Sequence, residues 1–430
     1  MPSFSIPLTG LEADSTALNT IANNLSNMNT TAYKAQSASF SDLFYQQIGS
    51  AGSGDPLQQG AGTQIASISS NFTSGSTNST GKATDVALNG NGFFVVQGNG
   101  GPEYTRAGNF QLDSSGNLIT QAGQRVMGYP AAGGVVNTNA PLRAINIPVG
   151  QVEQPKATSL MSMTANLDAS AAAGTQVPGQ ITLYDSLGVS HLATVTFTKS
   201  AAAANQWGYQ VSLPAADLPP AAATTIASGS LTFDSQGALK TVSDSAGTQI
   251  APVTAGGVTT YPPVSISSVP LADSAAPLSF NWQLFDSNSV GTITQVAAAS
   301  GVAKTTQDGY MSGQYQSFSI DSKGVLSATF DNGQQSVIGQ LAVASVANEQ
   351  GLSRIGENSF AATSASGQPS VGVAGAAGRG TIQGGALEAS NVDISTEFSN
   401  LIIAQRAFEA NSKAITTFDT VTQQTINMIR

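Results

Sequence analysis

A chain of 430 residues has room for two or three domains; with only 9% of them charged and a net charge of −10, it must draw its solubility from Ser, Thr, Asn and Gln. The scarcity of Lys and Arg excludes nucleic acid and anionic membrane surfaces as partners, since both need clustered cations. There is no cysteine, which removes disulfides, thiol catalysis and thiolate-bound metals.

The first expected element is a helix that opens on the heptad-like series Leu11, Leu18 and Leu25, interleaved with Ile21 and Met28. Thr9 precedes it as a possible cap, and Glu12 and Asp14 then fall in the first turn. The pattern fades at Asn27–Thr31, where poor helix formers cluster. Gly49–Gly62 reads as a loop leading into the middle of the chain. No apolar run nears the roughly 18 residues of a membrane span, so no membrane insertion is expected. The chain start lacks the basic-then-apolar profile of a cleavable secretion signal, so any export is expected to use other machinery.

The middle alternates glycine, proline and β-formers. Ala193, Val195 and Phe197, then Trp207, Tyr209, Val211 and Leu213, then Phe280, Trp282 and Leu284 each alternate with polar or small residues. These are half-buried strands of an antiparallel type. Asp-Ser-x-Gly recurs at Asp113–Gly116, Asp185–Gly188, Asp234–Gly237 and Asp321–Gly324. The Asp side chain starts a turn and the glycine takes its left-handed position. One carboxylate per turn is too few for calcium, so hairpin turns are the better reading.

The last stretch, Ala386–Arg430, contains no glycine or proline, in a chain with 45 and 18 of them. Leu401, Ala404, Phe408, Ile415, Phe418 and Ile429 recur at coiled-coil spacing, with Asn411, Thr422 and Thr425 filling the same seam. Asp393 or Ser395 is a candidate cap, with Glu397 in the first turn. A seam that long and narrow needs a partner, and the N-terminal helix is the natural one.

The fold class expected is therefore α+β and multidomain: long terminal helices forming a coiled-coil-like core, with nested, mainly antiparallel β domains. The core would take residues 1–70 and 386–430, an inner β domain 71–148 and 305–385, and an outer β domain 149–304.

Candidate chemistry is sparse. His191 is the sole histidine and follows a hairpin turn, which favours a turn or strand-edge role over a triad or zinc site. Gly375, Gly378 and Gly380 follow no βαβ strand and lack a P-loop lysine. The carboxylates are scattered singly along the sequence, leaving only their pairing in space open. No enzyme activity, cofactor or metal is expected.

Four motifs carry a resemblance. Ala22 to Lys34, which contains Asn23, Asn24, Asn27, Asn29, Thr30 and Tyr33, resembles the N-terminal motif of bacterial flagellar rod and hook axial proteins. Leu88–Val96 and Tyr104–Phe110 resemble the next two signatures of that family. Gly385–Asp393, with Asn391, Val392 and Asp393, followed by Ala404–Asn411 with Gln405 and Arg406, resembles its C-terminal motif. Leu183–Gly188 with His191, then Trp207–Tyr209, is similar to the hook subunit's middle domain. Ala32 departs from the pattern, which usually has glycine there.

The resemblance implies an extracellular hook or basal-body subunit exported by the flagellar type III apparatus. It would polymerise with itself into a curved, bendable tube carrying torque from rod to filament. Its other partners would be the distal rod, hook-cap and hook–filament junction proteins. A distal rod or hook-associated protein is the alternative within the family, and a secreted β-rich adhesin or glycan-active enzyme the alternative outside it. The terminal helices would supply the polymerisation core and order only on assembly; pairing with each other inside one chain is the competing possibility.

Overall fold

A computed structural model describes residues 5–50, 56–98, 100–220, 222–250, 252–255 and 258–428. Ile429 and Arg430, at the end of the expected C-terminal seam, lie outside the described residues. The chain forms two compact units: residues 1–149, 316–329 and 335–430 make the first, and 150–315 with 330–334 the second. Among the described residues no helix is long and apolar enough to cross a membrane.

In the first unit, helix α1 spans Ser5–Ser26 and helix α2 spans Ile394–Met428. Helix α1 starts earlier than the leucine series suggests, because Pro7 is tolerated in a first turn whose N–H groups have no intrahelical acceptor. Thr9 is thus inside the helix, its hydroxyl donating to the Ile6 carbonyl at 2.8 Å, and Glu12 and Asp14 lie beyond the first turn. The helix stops at Ser26, so Met28 sits in the following turn and is exposed.

Asp393 caps α2: its Oδ1 accepts the Thr396 N–H at 2.8 Å and its carbonyl accepts the Glu397 N–H at 2.9 Å. Hydrogen bonds from Thr396 hold the Asp393 carboxyl below its ordinary range. With 35 residues, α2 is about 52 Å long.

The helices run antiparallel. Asn24 donates to Glu397 at 3.1 Å near one end of α1, and Asn411 donates to Asp14 at 2.8 Å near the other. Gly10 permits the close approach there, since a Cβ on it would lie 2.7 Å from the Asn411 amide nitrogen. The two ends therefore have a partner within one chain, the arrangement weighed above as the competing one.

Gly49–Gly62 is not a simple loop. Tyr45–Ser50 pairs with Pro56–Gly60, and Gln36–Asp42 pairs with Thr63–Ser70, while 51–55 lie outside the described residues. Leu57, Gln58 and Gln59 are all exposed, so among the described residues no buried face imposes an apolar alternation on the sequence.

A twisted sheet forms the rest of this unit, in the order Val325–Phe330, Gln335–Leu341, Arg125–Ala132, Phe93–Gly98, Gly101–Thr105, Ser359–Ala361 and Ser353–Gly356. Phe93, Val95, Tyr104, Tyr129 and Phe360 pack its core. Two separate short ribbons hold the segment before α2 against earlier strands: Thr381–Gly384 pairs with Val86–Asn89, and Ala386–Glu388 with Thr77–Ser79.

The second unit holds two five-stranded sheets around one core. The first is an antiparallel meander of Gln176–Tyr184, Ser190–Lys199, Gln206–Ser212, Thr225–Phe233 and Leu239–Asp244. The second combines Val264–Val269, Leu278–Gln283, Leu160–Asn166, Ile293–Thr294 and Gly301–Gln307. Leu160–Asn166 pairs in parallel with Leu278–Gln283 and with Ile293–Thr294, a departure from the all-antiparallel reading of these strands. Local alternation reports burial on one face, not the direction of a neighbour.

The expected inward residues are buried, and the Tyr209 and Trp282 rings meet edge-on at 5.3 Å. Burial and the nearby Asp244 push the Tyr209 phenol up to about 12. His191 is wholly buried within Ser190–Lys199, not at a solvent edge.

All four Asp-Ser-x-Gly turns close as expected, with glycine φ between +78° and +85°. Asp244–Gly247 is a fifth copy, with Asp244 Oδ1 accepting from the N–H of Ala246 and of Thr248. These positions differ in what surrounds the glycine. A Cβ on Gly247 meets nothing within 4 Å, whereas one on Gly237 would lie 2.4 Å from the Gln295 carbonyl oxygen. Gly247→Ala is therefore expected to destabilise the protein by about 1–2 kcal/mol, the cost of a left-handed Cβ alone. Gly237→Ala is expected to cost clearly more; equal shifts in urea midpoint would contradict the assignment.

Candidate functional site: a buried motif junction and an exposed helix face

The four motifs singled out in the sequence converge on one buried carboxylate. Glu388 Oε1 lies 2.6 Å from Lys34 Nζ and accepts the Gly75 N–H at 2.9 Å, while Oε2 lies 3.5 Å from the Arg106 guanidinium. All three charged side chains are at most 2% exposed. Lys34 also donates to the Thr73 carbonyl at 2.9 Å, and Arg106 donates to the carbonyls of Leu88 and Gly90 at 3.1 and 2.6 Å. Burial pushes the Lys34 ammonium down, and the hydrogen bond and charge of Glu388 oppose it. Burial also lowers Arg106, whose guanidinium nonetheless stays charged at any pH compatible with folding.

Around this centre the expected motif residues do defined work. Asn24 behaves like a strand partner: Oδ1 accepts the Gln36 N–H at 2.8 Å and Nδ2 donates to the Gln36 carbonyl at 2.7 Å. The Tyr33 hydroxyl contacts Asn24 at 3.3 Å and accepts from Asn23 at 3.1 Å. Asn391 accepts the Ala35 N–H at 2.8 Å and donates to the carbonyls of Asn71 and Thr73. Arg354 lies over the Tyr33 and Phe360 rings and donates to the Lys34 carbonyl at 2.7 Å. Asn27 donates to the Asn23 carbonyl at 2.9 Å, and Thr30 donates to Asn27 at 3.1 Å. Val392 is half-buried beside the Asp393 cap.

Asn29, Gln405 and Arg406 are exposed and take no part in the junction. Asn29 lines a polar groove with Asn27, Thr30 and Asn358. Glu388, Arg106 and Arg354 were missed as site residues. The readable signal for Glu388 and Arg106 was that a chain with so few charges places them, like Lys34, inside its motifs.

Ala32 occupies a left-handed conformation with φ 54°, fixed because its N–H donates to the Glu388 carbonyl at 2.9 Å. The turn holds this left-handed geometry despite the Cβ.

The helix seam behaves differently from the junction. Ile21 and Ala404 are buried, and Leu11, Leu18, Leu25, Leu401, Phe408, Ile415 and Phe418 are half-buried. Asn411 and Thr422 are also half-buried, whereas Thr425 is exposed. A second apolar line on α2 is open: Ile394 46%, Phe398 49% and Ile402 52% exposed at i, i+4 spacing, with Ile403 beside it at 66%. Val421, Ile426 and Met428 extend the exposed apolar surface toward the end of α2.

Family models match these regions in order. "Flagella basal body rod protein" matches residues 7–34, "Flagellar hook protein FlgE/F/G D1 domain" 87–165, "Flagellar basal body protein FlaE D2 domain" 155–310 and "Flagellar basal body rod FlgEFG protein C-terminal" 383–428. Lys34, Arg106 and Glu388 fall in three separate matches. The flagellar hook protein FlgE of Salmonella typhimurium is 35% identical, over 99% of this chain and 100% of its own length. That of Treponema pallidum is 32% identical over the whole of both chains.

The chain belongs to the flagellar hook protein family. A solved structure of Helicobacter pylori hook protein FlgE2 shares the fold, with a TM-score of 0.50 at 15% identity, covering 73% of this chain and 100% of that one. The protein is accordingly a structural subunit of the hook and not an enzyme. In this family member, terminal helices that pack together accompany a chain that is mostly β-sheet.

Two substitutions test the junction. Glu388→Gln leaves Lys34 and Arg106 buried without an anion, and is expected to cost about 3–5 kcal/mol in urea unfolding. Ala32→Gly is expected to raise stability by up to ~1 kcal/mol, as relief of the left-handed Cβ outweighs the added backbone entropy. A neutral Glu388→Gln would remove the junction from the account of the fold.

Proposed function

We propose that this subunit polymerises head-to-tail, through its terminal helices, into the curved, bendable tube that passes torque from rod to filament. The observation that carries this reading is the apolar line Ile394, Phe398 and Ile402 on a helix whose other side is already covered by α1. Exposed apolar surface of this kind marks an interaction face, and non-closing contacts between unlike faces build helical filaments.

In this reading the seam residues Leu11, Leu18, Ile21, Leu25, Leu401, Ala404, Phe408, Ile415 and Phe418 build a coiled-coil-like core. That core takes residues 1–70 and 386–430. The β regions 71–148 with 305–385, and 149–304, form successive outer domains. The protein acts outside the cell, delivered by the flagellar type III apparatus. It meets the distal rod, the hook cap and the hook–filament junction proteins at the ends of the tube.

The double variant Phe398→Asp with Ile402→Asp tests the assembly face. Both side chains are about half exposed, so the monomer's melting temperature and circular dichroism are expected to stay close to wild type. In the polymer each subunit would bury unpaired carboxylates at several kcal/mol apiece, so filaments should be absent in electron micrographs. Filaments of normal length from the variant would refute the proposed face.

A further inference from the structure

The second unit buries an imidazole that neither the fold nor the assembly reading uses. His191 is 3% exposed and faces three carboxylates, each from a different segment. Nε2 lies 3.5 Å from Asp185 Oδ2 and 3.7 Å from Asp273 Oδ2, and Nδ1 lies 3.1 Å from Asp217 Oδ2.

Neither nitrogen has a well-formed hydrogen bond. Nδ1 has no partner of acceptable geometry, and the Nε2 contact to Asp185 is beyond the usual range of about 2.7–3.2 Å. Nδ1 of this wholly buried ring is thus left unpartnered, while Nε2 faces two carboxylate oxygens with only one long contact to hold it. Asp185 Oδ1 is already occupied by the N–H groups of Leu187 and Val189 at 2.9 and 2.8 Å, which leaves Oδ2 for the ring side. Burial works to raise the Asp185 carboxyl, but hydrogen bonding at Asp273, Val189, Leu187 and His191 outweighs it and holds the group below its ordinary range. Three carboxylates gather around one imidazole, and Asp185 at their centre is wholly buried, a setting that suits a cation.

The spacing fits a small cation. Two ligands each ~2.0–2.2 Å from a tetrahedral zinc lie roughly 3.3–3.6 Å apart. The Nε2-to-oxygen distances of 3.5 and 3.7 Å lie at and just above the upper end of that range, and all three donor atoms lie within 4.8 Å of one another. We propose that His191 Nε2, Asp185 Oδ2 and Asp273 Oδ2 form a divalent-cation site of the zinc type, with Asp217, 3.1 Å from Nδ1, placed to accept its proton once the ring turns into line with the bound cation. A carboxylate on the far nitrogen of a ligating histidine fixes its tautomer and strengthens it as a donor.

The site would act as a structural staple. Asp185 begins the turn between Gln176–Tyr184 and Ser190–Lys199, and Asp217 ends the short helix Ala215–Asp217. Asp273 lies between Val264–Val269 and Leu278–Gln283 of the other sheet. Backbone links already hold these segments in place: the Ala272 N–H donates to the Asp217 carbonyl at 2.9 Å, and the Ala276 N–H to the Ser186 hydroxyl at 3.1 Å. The expectation of no metal followed from a lone histidine in sequence, where Asp217 and Asp273 are too distant to register as its neighbours.

The test uses untagged, full-length protein stripped with EDTA and dialysed against zinc. One zinc per chain is expected, with the thermal midpoint of the unfolding step raised by roughly 5–10 °C at about 100-fold excess over Kd. Asp273→Asn, a partly exposed position that leaves the Asp185 turn intact, should weaken zinc binding at least tenfold and abolish the shift. His191→Gln should do the same. Absence of stoichiometric zinc, zinc binding by Asp273→Asn at wild-type affinity, or preference for calcium over zinc would each overturn the proposal.

Discussion

The structure of the first unit depends on keeping one buried carboxylate neutralised. Glu388 sits 354 residues from Lys34 in sequence, yet the two meet at 2.6 Å with Arg106 on the other oxygen. A buried ion pair adds little over a well-packed apolar group, but an incomplete one is severely destabilising. The arrangement therefore acts as a check on assembly of the fold. The start of the chain, the strand region around Leu88 and the return strand Ala386–Glu388 must all be in place before any of these charges can leave water. Such a device suits a chain whose ends must be brought to one point from opposite ends of the sequence.

That junction fixes where the helices leave the β-structure. Asn24 and Asn391, which flank it, each replace a missing strand partner with a side-chain amide. Asp393 then caps α2 two residues on, and Asn24 reaches across to Glu397. The seam follows from there with no further specification than apolar spacing. The contacts Asn24–Glu397 and Gly10–Asn411 are equally spaced on both helices, which puts Ser5 opposite residue 416. Helix α2 runs on to Met428, so its last three turns extend past the described start of α1. Exposed Val421, Ile426 and Met428 lie on that extension. A helix longer than its partner, with an open apolar line along its paired part, has surface left for other subunits.

Legibility in the sequence tracked how local the determining physics is. The Asp-Ser-x-Gly turns and the alternating strands around Trp207 and Trp282 were readable, because each is set by side chains within a few residues. So was the covered face of α2, down to Ala404 as its buried position. Features whose cause lies far away were not readable. The ribbon of Tyr45–Ser50 and Pro56–Gly60 shows no buried face among its described residues, and the parallel strand pairs depend on which neighbour the fold supplies. The stripe Ile394, Phe398 and Ile402 has visible helical spacing, yet it competes with the stronger seam beside it. The ring of carboxylates around His191 is assembled by three loops and leaves no trace in spacing.

Ala32 shows how strongly the junction constrains the backbone. An L-residue with φ 54° carries a local strain of about 1–2 kcal/mol, and no local interaction of its methyl group requires that conformation. What requires it is the pair of demands on either side. The Ala32 N–H must reach the Glu388 carbonyl, and two residues later the Lys34 ammonium must reach the Glu388 carboxylate. An extended residue there would point one of these groups away and leave a buried donor or charge unpaired, at a cost of several kcal/mol. The smaller penalty is accepted because the larger one is avoided. The same inequality explains why a glycine would suit the position and why alanine is tolerated there.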